Sequence, residues 1–204
     1  MKNNQINVNL GCGPSGLNSW INFDWGVLPF LSKFPRVRKI LVDIGLLTSN
    51  YITDWPRIKL VDIRKKLPLS NNSVDNIYCS HVLEHFEFWE AKSILSECKR
   101  VLKRNGRIRI VLPNLKKMVN QYKNANDFCR EFYGFNKDVL SIGRKFIRGH
   151  QWMYDDITAV KLLKDSGFED IRVFKRAVGK VPDINELDVK INERLSIYLE
   201  AIKK

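Results

Sequence analysis

The sequence predicts an α/β fold: a doubly wound, mostly parallel sheet whose last two strands pair antiparallel. Three observations carry this prediction. Short apolar strand patterns alternate with helical ones along most of the chain, which calls for a parallel sheet with helices on both faces. Several strand patterns end on an acid or run into a glycine turn, as strands do at the ligand-binding carboxyl edge of such a sheet. The final two strand patterns are joined by a stretch that reads as loop, without the helix a parallel crossover normally uses.

The elements follow in order. Residues 6–10, INVNL, alternate and then meet Gly11-Cys12-Gly13-Pro14-Ser15-Gly16, a strand running into a glycine turn. WINFD, 20–24, is a second strand ending on an acid. Pro29, Pro35 and Pro56 punctuate 26–57, and VRKILVDIGLL within it suits either a strand or a helix. IKLVD, 58–62, is a compact strand ending on Asp62, and NIYCS, 76–80, is the next. Apolar residues at 88, 91, 94, 95, 98, 101 and 102 have helical spacing, with Asn105-Gly106 as the stop. RIRIVLP, 107–113, is a strand stopped by proline. Residues 114–150 read as a helix followed by a basic irregular stretch. Asp155 to Ser166 is helical and closed by Gly167, then FEDIRVF, 168–174, and RLSIYLEAI, 194–202, are strands. There is no repeat and no linker, so one domain over 1–204 is expected.

The bulk properties set bounds. A chain of 204 residues with 44% hydrophobic content can bury a real core. No apolar run approaches the roughly 18–20 residues of a membrane span, and MKNNQINVNL lacks the apolar core of a secretory signal. Cys12, Cys79, Cys98 and Cys129 form no C-x-x-C, which fits a reduced, cytoplasmic setting. Thirty-five Lys and Arg against 22 Asp and Glu leave a charge of +13. That balance favours anionic partners: nucleic acid, a nucleotide-linked sugar or an acidic membrane surface. A merely solvated basic surface is the plain alternative.

GCGPSG fits G-x-G-x-x-G by letter, but the dinucleotide fingerprint wants a long helix after the glycines and an acid about 20 residues on. Pro14, Gly16 and Asn18 spoil that helix, and Asp24 arrives too early. NAD is therefore the poorer choice of nucleotide. Taken together, VNLGCG, WINFD, LVDIRKKLPLSNNSVDNIYCSHVLEHF, ECKRVLKRNGRIRIVLPNL and GHQWMYDDITAVKLLKDSGF, in this order, resemble the class I S-adenosylmethionine-dependent methyltransferases. The match is closest to small stand-alone members with N-L-G-C-G and S-x-V-L-E-H. The resemblance implies a Rossmann-like seven-stranded sheet with one antiparallel strand near the C-terminus, and lids at about 26–57 and 116–150. It implies methyl transfer to an oxygen or nitrogen acceptor, a sugar hydroxyl of glycan synthesis first, RNA second. A cofactor-free or non-catalytic nucleotide-binding module is the reading from outside enzymology.

The resemblance also implies roles. Gly11, Cys12 and Gly13 pass beside the methionine and ribose parts of S-adenosyl-L-methionine. Asp24 accepts from the ribose hydroxyls, with Asp43 its rival if KILVD is the true second strand. Asp62 and the Ile63 backbone meet the adenine. Ser80, His81 and Val82 line the methionine end. Asn9 replaces the commoner acid before the glycines.

SHVLEH raises a separate question. H-x-x-E-H, with His81, Glu84 and His85, is the inverted zinc-protease signature, but that chemistry needs both histidines inside a long helix. Here Ser80 ends a strand, so a cleft-lining role is the better expectation. In some RNA 2′-O- and ubiquinone-pathway O-methyltransferases E-x-x-E-H at this place holds a divalent cation. His81 stands where they carry the first glutamate, and His150 of GHQWMY is the remaining histidine. The candidates for catalysis are thus His81, His85 and His150, as bases or, with Glu84, as cation ligands.

Overall fold

The computed structural model describes residues 5–47, 52–133, 149–190 and 193–204. Its strands are β1 (Asn7–Leu10), β2 (Ile21–Asp24), β3 (Ile58–Leu60), β4 (Val74–Ser80), β5 (Leu102–Pro113), β6 (Glu169–Phe174) and β7 (Ser196–Ile202). They form one seven-stranded sheet in the order β3-β2-β1-β4-β5-β7-β6. The pairs among β1 to β5 are parallel, and β7 runs antiparallel to both β5 and β6. This is the doubly wound sheet expected, with its antiparallel strand where the missing crossover helix placed it.

The helices are α1 (Val27–Leu31), α2 (Pro35–Asp43), α3 (Phe88–Val101), α4 (Leu115–Asn120), α5 (Ala125–Tyr133), α6 (Asp156–Asp165) and α7 (Ile184–Leu187). Two have clear sequence causes. At α3 the Glu87 and Glu90 side chains each satisfy the other's backbone N–H in a capping box. At α6 Asp155 and Thr158 do the same, and Gly167 follows the helix at φ +80°.

Alternation along the strands sends side chains to two cores. Ile77, Cys79, Ile108, Ile110, Leu199 and Ala201 join Ala91, Ile94, Leu95 and Cys98 of α3 and Leu162 and Leu163 of α6. Tyr78, Val111 and Tyr198 point the other way, onto Trp20, Val181, Ile184 and Leu187. On that second face Arg109 is fully buried and ion-paired to buried Asp188 and Glu200. It also donates to the Val178 and Lys175 carbonyls. The cation thereby fastens segment 175–188 over the sheet.

One open reading is settled, and two expectations need correction. VRKILVDIGLL is helical through Asp43, so Asp43 ends α2 rather than a strand. The helix after Glu87 stops at Val101, not at Asn105-Gly106. Leu102 already pairs with Val74, and the register then shifts until Arg107 meets Asn76. Asn105 takes φ +64° in the irregular stretch, so the Asn-Gly pair serves a turn inside the strand rather than a helix end. Segment 175–193 is not all loop, since it contains α7. The predicted lids lie partly outside the described residues, at 48–51 and 134–148. No helix of the described residues is long and apolar enough to cross a membrane.

Candidate active site

The carboxyl ends of β1, β2, β3 and β4 lie side by side, because these strands are parallel neighbours. They bring Gly11–Gly13, Asp24, Asp62–Ile63 and Ser80–His81 to one edge of the sheet. Gly11 turns the chain off β1 at φ +63°, and its N–H donates to the Phe23 carbonyl at 2.8 Å. A Cβ on Gly11 would come within 2.3 Å of Val82 Cγ2. Glycine is therefore demanded there twice, by conformation and by space. Gly13, at φ +52°, opens a single 3-10 turn over Gly13–Ser15. A Cβ there would meet nothing within 4 Å, so this face of the turn stands open. Asn9 is buried just ahead of the turn.

Asp24 ends β2 facing that turn. Its carboxylate accepts from the Gly13 N–H at 2.8 Å and the Trp25 N–H at 2.7 Å. Burial pushes its pKa up, and the two backbone bonds pull the other way. A carboxylate so held keeps lone pairs for a vicinal diol and is fixed in direction by the backbone. The buried Cys12 thiol lies beside it, pushed up to about 12 by burial and by Asp24, so it is no nucleophile. Asp62 is differently placed. Arg64 grips it with Nε at 2.9 Å and Nη2 at 2.8 Å, which holds its pKa down. Arg64 is about half exposed, while Ile63 behind it is buried.

After β4 the chain turns sharply: His81 has φ +53°, and Leu83–His85 form one 3-10 turn. The two histidines therefore do not share a long helix, which removes the zinc-protease geometry. All three histidines lie about Glu84, but His81 is already engaged. His81 Nδ1 donates to Glu84 Oε1 at 3.1 Å, and its Nε2 lies 3.0 Å from Ser196 Oγ. Both ring nitrogens are thus occupied, and His81 works as a strut between the end of β4 and the start of β7.

The remaining pair does come together with Glu84. Residues 149–154 cross the site because the Gln151 and Trp152 N–H groups donate to the Glu84 carbonyl, at 2.8 and 3.1 Å. His150 is further set by its Nδ1, which donates to the Phe132 carbonyl at 2.7 Å. That fixes the tautomer and leaves Nε2 with its lone pair. Glu84, His85 and His150 each offer a ligating atom, all within 4.8 Å of one another. The His85 and His150 rings lie 5.0 Å apart.

Glu84 is fully buried. Burial raises its pKa, but the His81 hydrogen bond and the charges of His81 and His85 outweigh this and keep it lowered. Its Oε2, His85 Nδ1 and the Tyr154 hydroxyl are buried without a partner. Burial holds His150 below the usual histidine range, Glu84 opposing and His85 assisting. A buried anion beside a neutral imidazole with a free lone pair can take up a proton or hold a cation. Tyr154 is the group that sequence reasoning missed. Its only signal was its place in GHQWMY, four residues after His150.

The fold is Rossmann-like, and the candidate residues gather at the carboxyl edge of its parallel strands. A family model described as a methyltransferase domain matches residues 45–110. Among solved structures, an S-adenosylmethionine-dependent methyltransferase of Thermotoga maritima aligns with a TM-score of 0.57 at 14% identity, over 98% of this chain and 82% of that one. One from Archaeoglobus fulgidus gives 0.53 at 15%, over 98% and 86%. Phosphoethanolamine N-methyltransferase 2 of Haemonchus contortus, solved with S-adenosyl-L-methionine, gives 0.56 at 14%, over 100% of this chain and 49% of that one. No curated protein matches the sequence. The structural likenesses show a shared fold, and the family model shows likeness to a methyltransferase domain over residues 45–110.

Proposed function

We propose that the chain methylates a sugar hydroxyl, free or carried on a nucleotide, with S-adenosyl-L-methionine as donor. The observation that carries this reading is the Glu84–His85–His150 cluster next to the β4 end. A hydroxyl must lose a proton as its oxygen takes the methyl, and a preset acceptor of protons serves that need. Because the sulfonium already activates the methyl, the protein's work is alignment and exclusion of water. Asp24 holds the ribose hydroxyls in this reading, and the open face of Gly13 leaves room beside it. Asp62 reaches the adenine once Arg64 shares or releases it. His150 Nε2 accepts the acceptor's proton, and Glu84 stabilises the imidazolium that results. His81 keeps Glu84 in place and touches neither substrate.

The same three residues fit a divalent cation. Glu84 Oε2 and His85 Nδ1 are buried donors without partners, and His150 retains an unshared lone pair. A cation held there would acidify the hydroxyl. Two imidazoles and one carboxylate suit manganese, cobalt or zinc better than magnesium.

The test is transfer of labelled methyl to a panel of sugars, nucleotide-linked sugars and RNA. Sugar methylation is expected, lost on His150→Gln. Turnover on RNA alone, with affinity falling steeply with salt, replaces the sugar reading by the RNA one. Full activity after chelation removes the cation and leaves the histidine base.

A further inference from the structure

Immediately after Asp24 the chain leaves the sheet and presents apolar side chains to solvent. Trp25, Phe30, Phe34, Val37, Ile40 and Ile44 are all between 43% and 61% exposed. None of them belongs to the buried core. Of the exposed large hydrophobic residues in the described chain, half fall within 25–52. Val37 and Ile40 of α2 and Ile44 at its C-cap follow helical spacing and form one stripe. Phe30 of α1 and Phe34 at the start of α2 meet with tilted rings, centroids 5.4 Å apart.

The charge beside this stripe has one sign. Lys33, Arg36 and Lys39 are exposed and form no ion pair with any described residue. Arg38 points inward instead and donates to the Thr53 carbonyl. The only acid from 25 to 47 is Asp43. An apolar stripe with aromatic ends and flanking basic residues is the pattern of an element lying in a lipid interface, its cations at the headgroups. The net charge of +13 on the whole chain disfavours a second copy as occupant and favours an anionic one.

We propose that α1 and α2 dock the protein on an anionic membrane surface. Trp25 adjoins Asp24, so docking by this face sets the candidate active site beside the lipid headgroups. This inference does not depend on the nature of the methyl acceptor.

The test is sedimentation of the full chain with vesicles of phosphatidylcholine, with and without phosphatidylglycerol. Binding is expected only to the anionic vesicles and is expected to weaken with salt. Each basic side chain near the surface is worth about 1 kcal/mol. Replacing Lys33, Arg36 and Lys39 together by glutamine should therefore lower partitioning on the order of a hundredfold. Ile40→Ser with Ile44→Ser, both on the exposed stripe, should lower it as well. Titration of both variants with S-adenosyl-L-methionine should match the parent, which separates loss of docking from loss of fold or cofactor binding. No binding to anionic vesicles, equal binding to neutral ones, or binding unchanged in either variant overturns the proposal. So does self-association of the parent chain that the isoleucine replacements abolish.

Discussion

Single residues carry the clearest tests of the site. Asp24→Ala should weaken S-adenosyl-L-methionine binding by about 1–3 kcal/mol, through lost charge-assisted hydrogen bonds. Asp43→Ala should leave it unchanged, since Asp43 ends α2. Calorimetric titration of both variants decides, and the reverse ranking would sink the assignment of the ribose carboxylate. Gly11→Ala should destabilise the fold by about 1–3 kcal/mol, because φ +63° and the 2.3 Å approach to Val82 act together. Denaturant unfolding measures it. Of the histidines, His150 has a definite pH consequence. Its folded pKa lies below the ordinary value of about 6.5, so the unfolded chain binds more protons in that range. Stability should hold above about pH 6.5 and fall as the pH drops below it. Thermal melts from pH 8 to 5 should show this loss, reduced in His150→Gln. These residues were unequally legible. Gly11, Gly13 and Asp24 were readable because strand ends and glycine turns announce themselves locally. The occupied state of His81 was not, because its partner Ser196 lies at the far end of the chain.

Among the elements, the 3-10 turn after β1 stands out, since the helix of the dinucleotide fold is missing there. Pro14 removes a backbone donor, and Gly16 and Asn18 are poor helix formers, so the local sequence already forbids it. The turn puts no long helix over the glycine loop, and α1 and α2 come next in the chain after Asp24. If they close over the cofactor, hydrogen exchange across 26–47 should slow on adding S-adenosyl-L-methionine; unchanged protection would show a fixed cover instead. α2 itself could not be told from a strand by pattern, for its apolar residues satisfy both periods over so short a span. The premature end of α3 was equally hidden. Lys99 and Arg100 suit a last turn, yet residues 102–106 continue that chemistry without continuing the helix. The pairing of Leu102 with Val74 decided the boundary.

At the scale of the whole molecule, one buried ion network ties the C-terminal third to the sheet. Arg109 faces Asp188 and Glu200 with no exposure, under the Tyr198 ring at 5.4 Å. Asp188 also accepts from the Ala177 N–H, and Glu200 from those of Lys180 and Val181. Arg109→Met removes the one cation that, among the described residues, pairs with these two buried carboxylates. It should cost about 3–5 kcal/mol, read as a lowered denaturation midpoint. The cost should be far smaller if Asp188→Asn and Glu200→Gln accompany it.

Hydrophobic alternation and turn residues by themselves determined the seven strands, the antiparallel end of the sheet and the glycine turn beside Asp24. These features follow from interactions between residues close in the chain, so a local pattern is enough. The tertiary structure alone decided which histidines meet. Glu84 and His85 leave β4 in one direction, while His150 arrives some 65 residues later, brought in by backbone bonds from Gln151 and Trp152 to the Glu84 carbonyl. The tertiary structure also turned Val37, Ile40 and Ile44 outward. An apolar stripe looks the same in sequence whether it faces a core or a membrane, because its spacing records the helix and not its neighbour.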